Sequence, residues 1–130
     1  MAIEIGIKDR NETVVCQENT AAAVGSGLVP VFATPYMIAL MEGAAAKAVL
    51  PYIAEDEGTV GTHLNVSHSA ATPIGMKVWA EATVTAVEGK KITFDVVAFD
   101  EAGEIGRGTH ERFIIKPEKF MAKVQAKLNQ

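Results

Sequence analysis

The chain has 130 residues, 48% of them hydrophobic, which suits one domain with a substantial core and leaves little room for two. A net charge of −4 with scattered lysines and arginines excludes the basic stripe of a nucleic-acid binder, and the single Cys16 excludes an internal disulfide. No apolar run reaches the ~18 residues of a membrane span, the start MAIEIGIKDR lacks a signal-peptide core, and no His, Cys, Asp or Glu cluster has metal-ligand spacing; the expectation is a soluble, cytoplasmic protein with no metal site.

In chain order, Ile3 to Lys8 alternates apolar and polar residues and Thr13 to Cys16 has strand composition, which predicts two short strands with Asp9, Arg10 and Asn11 between them. Asn19 to Pro30 (NTAAAVGSGLVP) is loop chemistry, suited to one wall or lid of a site. Thr34 then offers an N-cap and Pro35 suits the first helical position. The helix that follows, within VFATPYMIALMEGAAAKAVL, is apolar on every side and is expected to be buried with sheet wrapped around it. Pro51 and EDEG lead the chain back to the surface.

Thr59 to His68 reads as a strand, with Val60, Thr62, Leu64, Val66 and His68 on one face and Gly61, His63, Asn65 and Ser67 on the other. With the apolar face inward, His68 points in and His63 out. Lys77 to Val87 and Lys91 to Phe99 form a hairpin through Glu88-Gly89-Lys90, with Met76, Val78, Ala80, Ala82, Val84 and Ala86 on one face. Asp100 to Gly103 turns into a strand over Glu104 to Ile115, where Gly106 and Gly108 suggest a bulge or a close backbone approach. From Lys116 a short amphipathic helix follows, with Phe120, Val124 and Leu128 on its packing side. The simplest architecture is α+β: an antiparallel sheet curled round a central apolar helix over residues 1–130, its exposed edges protected in a homodimer or a larger assembly.

Glu42 is the only charge between Thr34 and Lys47, and its helical neighbours Ile38, Ala39, Ala45 and Ala46 offer no partner. Two readings remain open: a structural carboxylate answered by a neighbouring strand, or a general base or nucleophile whose pKa is raised by desolvation. His68 lies at a strand end before the turn AATPIG and is either structural or an acid/base group.

Three segments together, VFATPYMIALME with the following LPYI, VGTHLNVSHSAATPIG and IGRGTHERFIIKPEKFMAKV, resemble the hotdog-fold thioesterases of the fluoroacetyl-CoA thioesterase group, over Val31 to Val124. The resemblance implies a hotdog fold and an acyl-CoA hydrolase whose site lies where the helix meets the strands of a dimer. It implies catalytic roles for Thr34, Glu42 and His68, places a glycine amide by the thioester at Gly61, and matches a His-Glu-Arg segment to His110, Glu111 and Arg112. Arg112 then either orients an inner carboxylate, binds the ligand or makes a surface or interface pair. Coenzyme A enters only as part of the substrate, and no other cofactor is expected. The phenylalanines that the fluorine-selective pattern carries before Val-Phe-Ala-Thr are missing, Gly25 and Leu28 standing there instead, so the catalytic apparatus carries over and the fluorine selectivity does not. A hotdog hydratase or dehydratase, and an acyl-ligand binding module without turnover, are the alternatives.

Overall fold

The computed structural model describes residues 2–130, and its framework is a five-stranded antiparallel sheet wrapped around one long helix. Strand β1 (Lys8–Val14) lies at one edge, followed across the sheet by β3 (Lys77–Glu88), β4 (Lys91–Asp100) and β5 (Gly103–Ile115), with β2 (Gly58–His68) at the other edge. Helix α2 (Thr34–Val49) is preceded by the one-turn helix α1 (Ala21–Val24), and α3 (Pro117–Gln125) closes the chain. This is the α+β arrangement expected from the sequence.

One face of α2, carrying Met37, Leu40, Met41, Ala44, Ala45, Ala48 and Val49, is buried in one core with Val78, Ala80, Ala82 and Val84 of β3 and Ile92, Phe94, Val96 and Ala98 of β4. Alanines on both surfaces let helix and sheet approach closely, while Phe94, Met37 and Met41 fill the wider gaps. Each large side chain buried here contributes about 1.5–3 kcal/mol. At Gly106 the approach is close: a Cβ there would lie 2.5 Å from the Ser67 carbonyl oxygen and 2.7 Å from Met37 Sδ. Gly108 similarly faces the Asn65 backbone. Gly106 and Gly108 therefore mark close approach, while ladder irregularities fall at Gly61/His63, Val84/Ala86 and Ala98/Phe99.

Four details differ from the sequence expectations. Ile3 to Ile7 is not a strand, and β1 instead runs straight through Asp9–Asn11, pairing Lys8 with Thr83 through Val14 with Lys77. Its charges suit an edge strand, where Arg10 reaches over the Trp79 ring at 5.3 Å and Lys77 pairs with Glu12 at 3.1 Å. The lid segment contains α1, capped by Thr20 accepting from the Ala23 amide at 3.2 Å. Helix α2 is not enclosed on every side, since Tyr36, Ala39 and Lys47 are exposed in the single chain. Helix α3 has no fully buried residue in the single chain; Phe120 alone of its apolar stripe is half-buried, so it packs less deeply than its pattern suggested.

A buried polar clamp fixes the turn after β2. Thr72 Oγ1 donates to Asp100 Oδ2 at 2.7 Å, while Asp100 Oδ1 accepts the Ala102 and Gly103 amides at 2.8 and 3.2 Å. The Thr72 carbonyl accepts the Phe32 amide at 2.9 Å, and Val31 bridges to Pro73. The segment leading into α2 and the turn following His68 are thus tied to the same β4–β5 corner. Asp100→Ala, which strands three donors, should lower stability by about 2–3 kcal/mol in urea unfolding at fixed protein concentration. A loss under about 0.5 kcal/mol would contradict a stabilising clamp.

Candidate active site

Two groups of side chains lie along α2, one at its N-terminus and one near its middle. At its N-terminus Ala33, not Thr34, occupies the capping position, and Thr34 and Pro35 are the first two helical residues. The Thr34 hydroxyl is thereby free of the cap and lies 2.7 Å from His68 Nδ1. A hydroxyl both donates and accepts, so the contact fits either neutral tautomer of His68. The other ring nitrogen, Nε2, is buried and, among the described residues, has no hydrogen-bond partner. Burial holds the His68 pKa below its ordinary value, with the Ala70 backbone offsetting part of the effect. Thr34 and His68 both line a cavity of about 240 Å³ whose other walls include Phe32, Ser26 and Ser69.

The second group surrounds Glu42, a little over two turns along the helix. Its Oε2 lies 3.3 Å from Arg112 Nη1, the two side chains being 37% and 9% exposed. Glu42 is therefore not the lone desolvated carboxylate that its helical neighbours suggested, because a cation on β5 answers it. The guanidinium is itself held by Thr59, whose hydroxyl accepts from Nε and whose carbonyl accepts from Nη2, both at 2.9 Å. His110, fully buried, sits 3.2 Å from Nη1. Burial, chiefly, holds the Arg112 and His110 pKa values below their ordinary ranges.

Gly61 belongs to this second group. A Cβ on it would strike Glu42 Oε2 and lie 3.1 Å from His110 Cε1 and 3.3 Å from Arg112 Nη1. Strict alternation had placed Gly61 on the face opposite Leu64, Val66 and His68, but the register shift between Gly61 and His63 turns it toward α2. The extra residue, Thr62, donates its hydroxyl to the Glu111 carbonyl at 3.2 Å.

The structure thus joins Thr34 with His68, and Glu42 with Arg112 and Gly61. Among the described residues no hydrogen bond links the two groups. Thr59 and His110 as anchors of the guanidinium went unassigned in the sequence, as did Thr72 and Asp100. Asp100 carried one usable signal: an Asp that opens Asp-Glu-Ala-Gly at a strand end favours an Asx-type turn. No three His, Cys, Asp or Glu side chains among the described residues form a metal-ligand group, and no described helix is long and apolar enough to cross a membrane.

Residues 15–118 match the model of the fluoroacetyl-CoA-specific thioesterase family, FlK. The fluoroacetyl-CoA thioesterase of Streptantibioticus cattleyicolor is 48% identical over 97 residues, spanning 75% of this chain and 70% of that protein. A crystal structure of a mutant FlK in complex with fluoroacetate and CoA superimposes with a TM-score of 0.86 at 38% identity, covering 91% of this chain and 99% of that one. A hot-dog-like protein from Thermanaerovibrio acidaminovorans shares the fold at 22% identity, with a TM-score of 0.85 over 95% of this chain and 91% of that one. The architecture is the hotdog fold, and the chain belongs to the fluoroacetyl-CoA-specific thioesterase family.

Proposed function

We propose that the chain is an acyl-CoA thioesterase, one domain over residues 1–130, that hydrolyses a small acyl thioester with Thr34, Glu42 and His68 at the reacting bond and Gly61 and Arg112 beside it. The observation that carries the site assignment is His68: one ring nitrogen is fixed by the Thr34 hydroxyl and the other is buried without a partner. A buried unsatisfied ring nitrogen costs about 1–3 kcal/mol.

Hydrolysis has two routes through these residues. In one, a Glu42 oxygen adds to the thioester carbonyl and the C–S bond breaks, releasing the CoA thiolate. Water then cleaves the resulting anhydride and frees Glu42, neutral His68 taking the water's proton and passing it to the thiolate. In the other, Glu42 takes a proton from the water that attacks the carbonyl. Both end in free acid and free CoA thiol. Carboxylate, imidazole and hydroxyl suffice for this chemistry, so coenzyme A enters only within the substrate.

The same reading includes a homodimer. Eight residues of α-helix separate Thr34 from Glu42, about 12 Å along the axis at ~1.5 Å per residue, too far to grip one carbonyl. A second copy would bring its own Thr34–His68 pair to the Glu42 group. The open face of α2 at Tyr36 and Ala39, and the edge strand β2, are the surfaces available for that contact. A cytoplasmic setting follows from the substrate, because CoA thioesters are intracellular. The lid segment Asn19–Pro30 carries no aromatic residue and its Leu28 is 96% exposed, which suits short or branched acyl groups without fluorine selectivity.

Free-thiol release from short, branched and halogenated acyl-CoAs should be abolished by Glu42→Gln and by His68→Ala, and mixing the two variants should restore about a quarter of wild-type activity, since heterodimers regain one intact site of two. No release by wild type would refute the thioesterase, and no recovery on mixing would refute the shared site. Gly61→Ala drives a Cβ into the flexible end of Glu42 and close against His110 and Arg112, so it should push the carboxylate off Arg112 and cut kcat by about 10-fold or more; unchanged kcat would contradict the assignment. Because His68 is held neutral and protonates only below its ordinary range, activity should fall only at pH below about 6.5, and an acid limb centred above that would contradict the buried base.

A further inference from the structure

The pair between Glu42 and Arg112 does not explain its own geometry. A single contact at 3.3 Å to a carboxylate that is one-third exposed would leave both side chains free to rotate. The order comes from behind the guanidinium. Arg112 Nε donates to Thr59 Oγ1, Nη2 to the Thr59 carbonyl, and Nη1 is shared between Glu42 Oε2 and His110 Nε2.

His110 can take part in only one protonation state. Its Nδ1 lies 2.8 Å from the His63 carbonyl oxygen, and a carbonyl only accepts, so Nδ1 carries the proton. In the neutral ring Nε2 is then a lone pair, able to accept from Arg112. The Phe94 ring, stacked with centroids 6.0 Å apart, lies beside the imidazole. The sequence runs His63 carbonyl, His110, Arg112, Glu42, with every donor facing an acceptor.

We propose that His110 and Thr59 are positioning residues that act through Arg112: they lock the guanidinium so that one N–H is held on the Glu42 carboxylate and fixes where that carboxylate meets the substrate. The proposal rests on the reading of Glu42 as the reacting carboxylate. It also makes the site sensitive to protonation of His110. An imidazolium would set an N–H against a guanidinium N–H, like charge against like. The charged groups around His110 are Arg112 and Glu111 on its own strand and Glu42 on α2; β2 offers a backbone carbonyl and β4 an apolar ring.

The test is steady-state thiol release by full-length wild type, Glu42→Gln, His110→Phe, His110→Gln and Thr59→Val. His110→Phe keeps the bulk and removes the acceptor. It should lower kcat by roughly 10- to 100-fold with KM within about twofold. His110→Gln, whose amide oxygen accepts from Arg112, should recover part of the loss. In an Arg112→Gln background His110→Phe should cost nothing further, because the residue it acts through is gone. An equal second loss there, or unchanged kcat in His110→Phe, overturns the proposal. Should His110→Phe not fold, Thr59→Val decides: a several-fold fall in kcat at unchanged melting temperature supports the relay, and unchanged kcat overturns it. Wild-type rates in Glu42→Gln would show that the reading beneath has failed, whereas a dead Glu42→Gln with a fully active His110→Phe removes the relay alone.

Discussion

Thr34 and Glu42 sit on one helix, and a helix does not fold back to bring residues eight positions apart together. This rigidity sets the terms for everything else in the molecule. At the N-terminus of α2 a hydroxyl meets His68 at 2.7 Å, and near its middle a carboxylate meets Arg112 at 3.3 Å. No hydrogen bond among the described residues joins the two groups. Under the proposed function they are two half-sites that a second copy would complete, and the uncovered side of α2 lies open for it.

The rod is held in place by shape and its two side-chain groups by polar bonds. Alanines on helix and sheet let the two surfaces meet, and Gly106 admits the Met37 side chain against β5. At the N-terminal end, Thr72 and Asp100 tie the approach to α2 and the turn after His68 to a single corner. Beside the middle of α2, Thr59 and His110 brace Arg112 from β2 and β5. Both polar anchors are buried or nearly so, where hydrogen bonds are costly to leave unmade and therefore fix geometry tightly.

Much of this was readable from residues alone. Period-two alternation marked β3 and β4, whose inward faces from Val78 to Val84 and from Ile92 to Ala98 are apolar, and the helix over α2 announced itself through Thr-Pro and an apolar run broken only by Glu42. Strand β1 was hidden because an edge strand carries charges that mimic a turn. The orientation of Gly61 was hidden for a different reason: one extra residue inverts the facing of all that precedes it, and Thr62 gives no sign of being that residue. Glu42 was correctly singled out as lacking a local partner, but its distant partner on β5 could not be found from helical spacing. Arg112 and His110 came forward only through resemblance to the family, since a buried Arg and His on a strand look the same in sequence as exposed ones.

The family membership and the geometry address different questions. The first carries the class of substrate; the second bears on where the bond would break. Under the proposed function, the thioester would be held between two copies of the chain. A crystal structure with a non-hydrolysable acyl-CoA analogue tests this most directly. The account predicts the analogue's carbonyl carbon within about 3–3.5 Å of a Glu42 oxygen from one protomer, with the Thr34–His68 pair of the other protomer at hydrogen-bond reach of the carbonyl or sulfur. An analogue bound wholly within one protomer, or with its carbonyl out of reach of both Glu42 carboxylates, would contradict it.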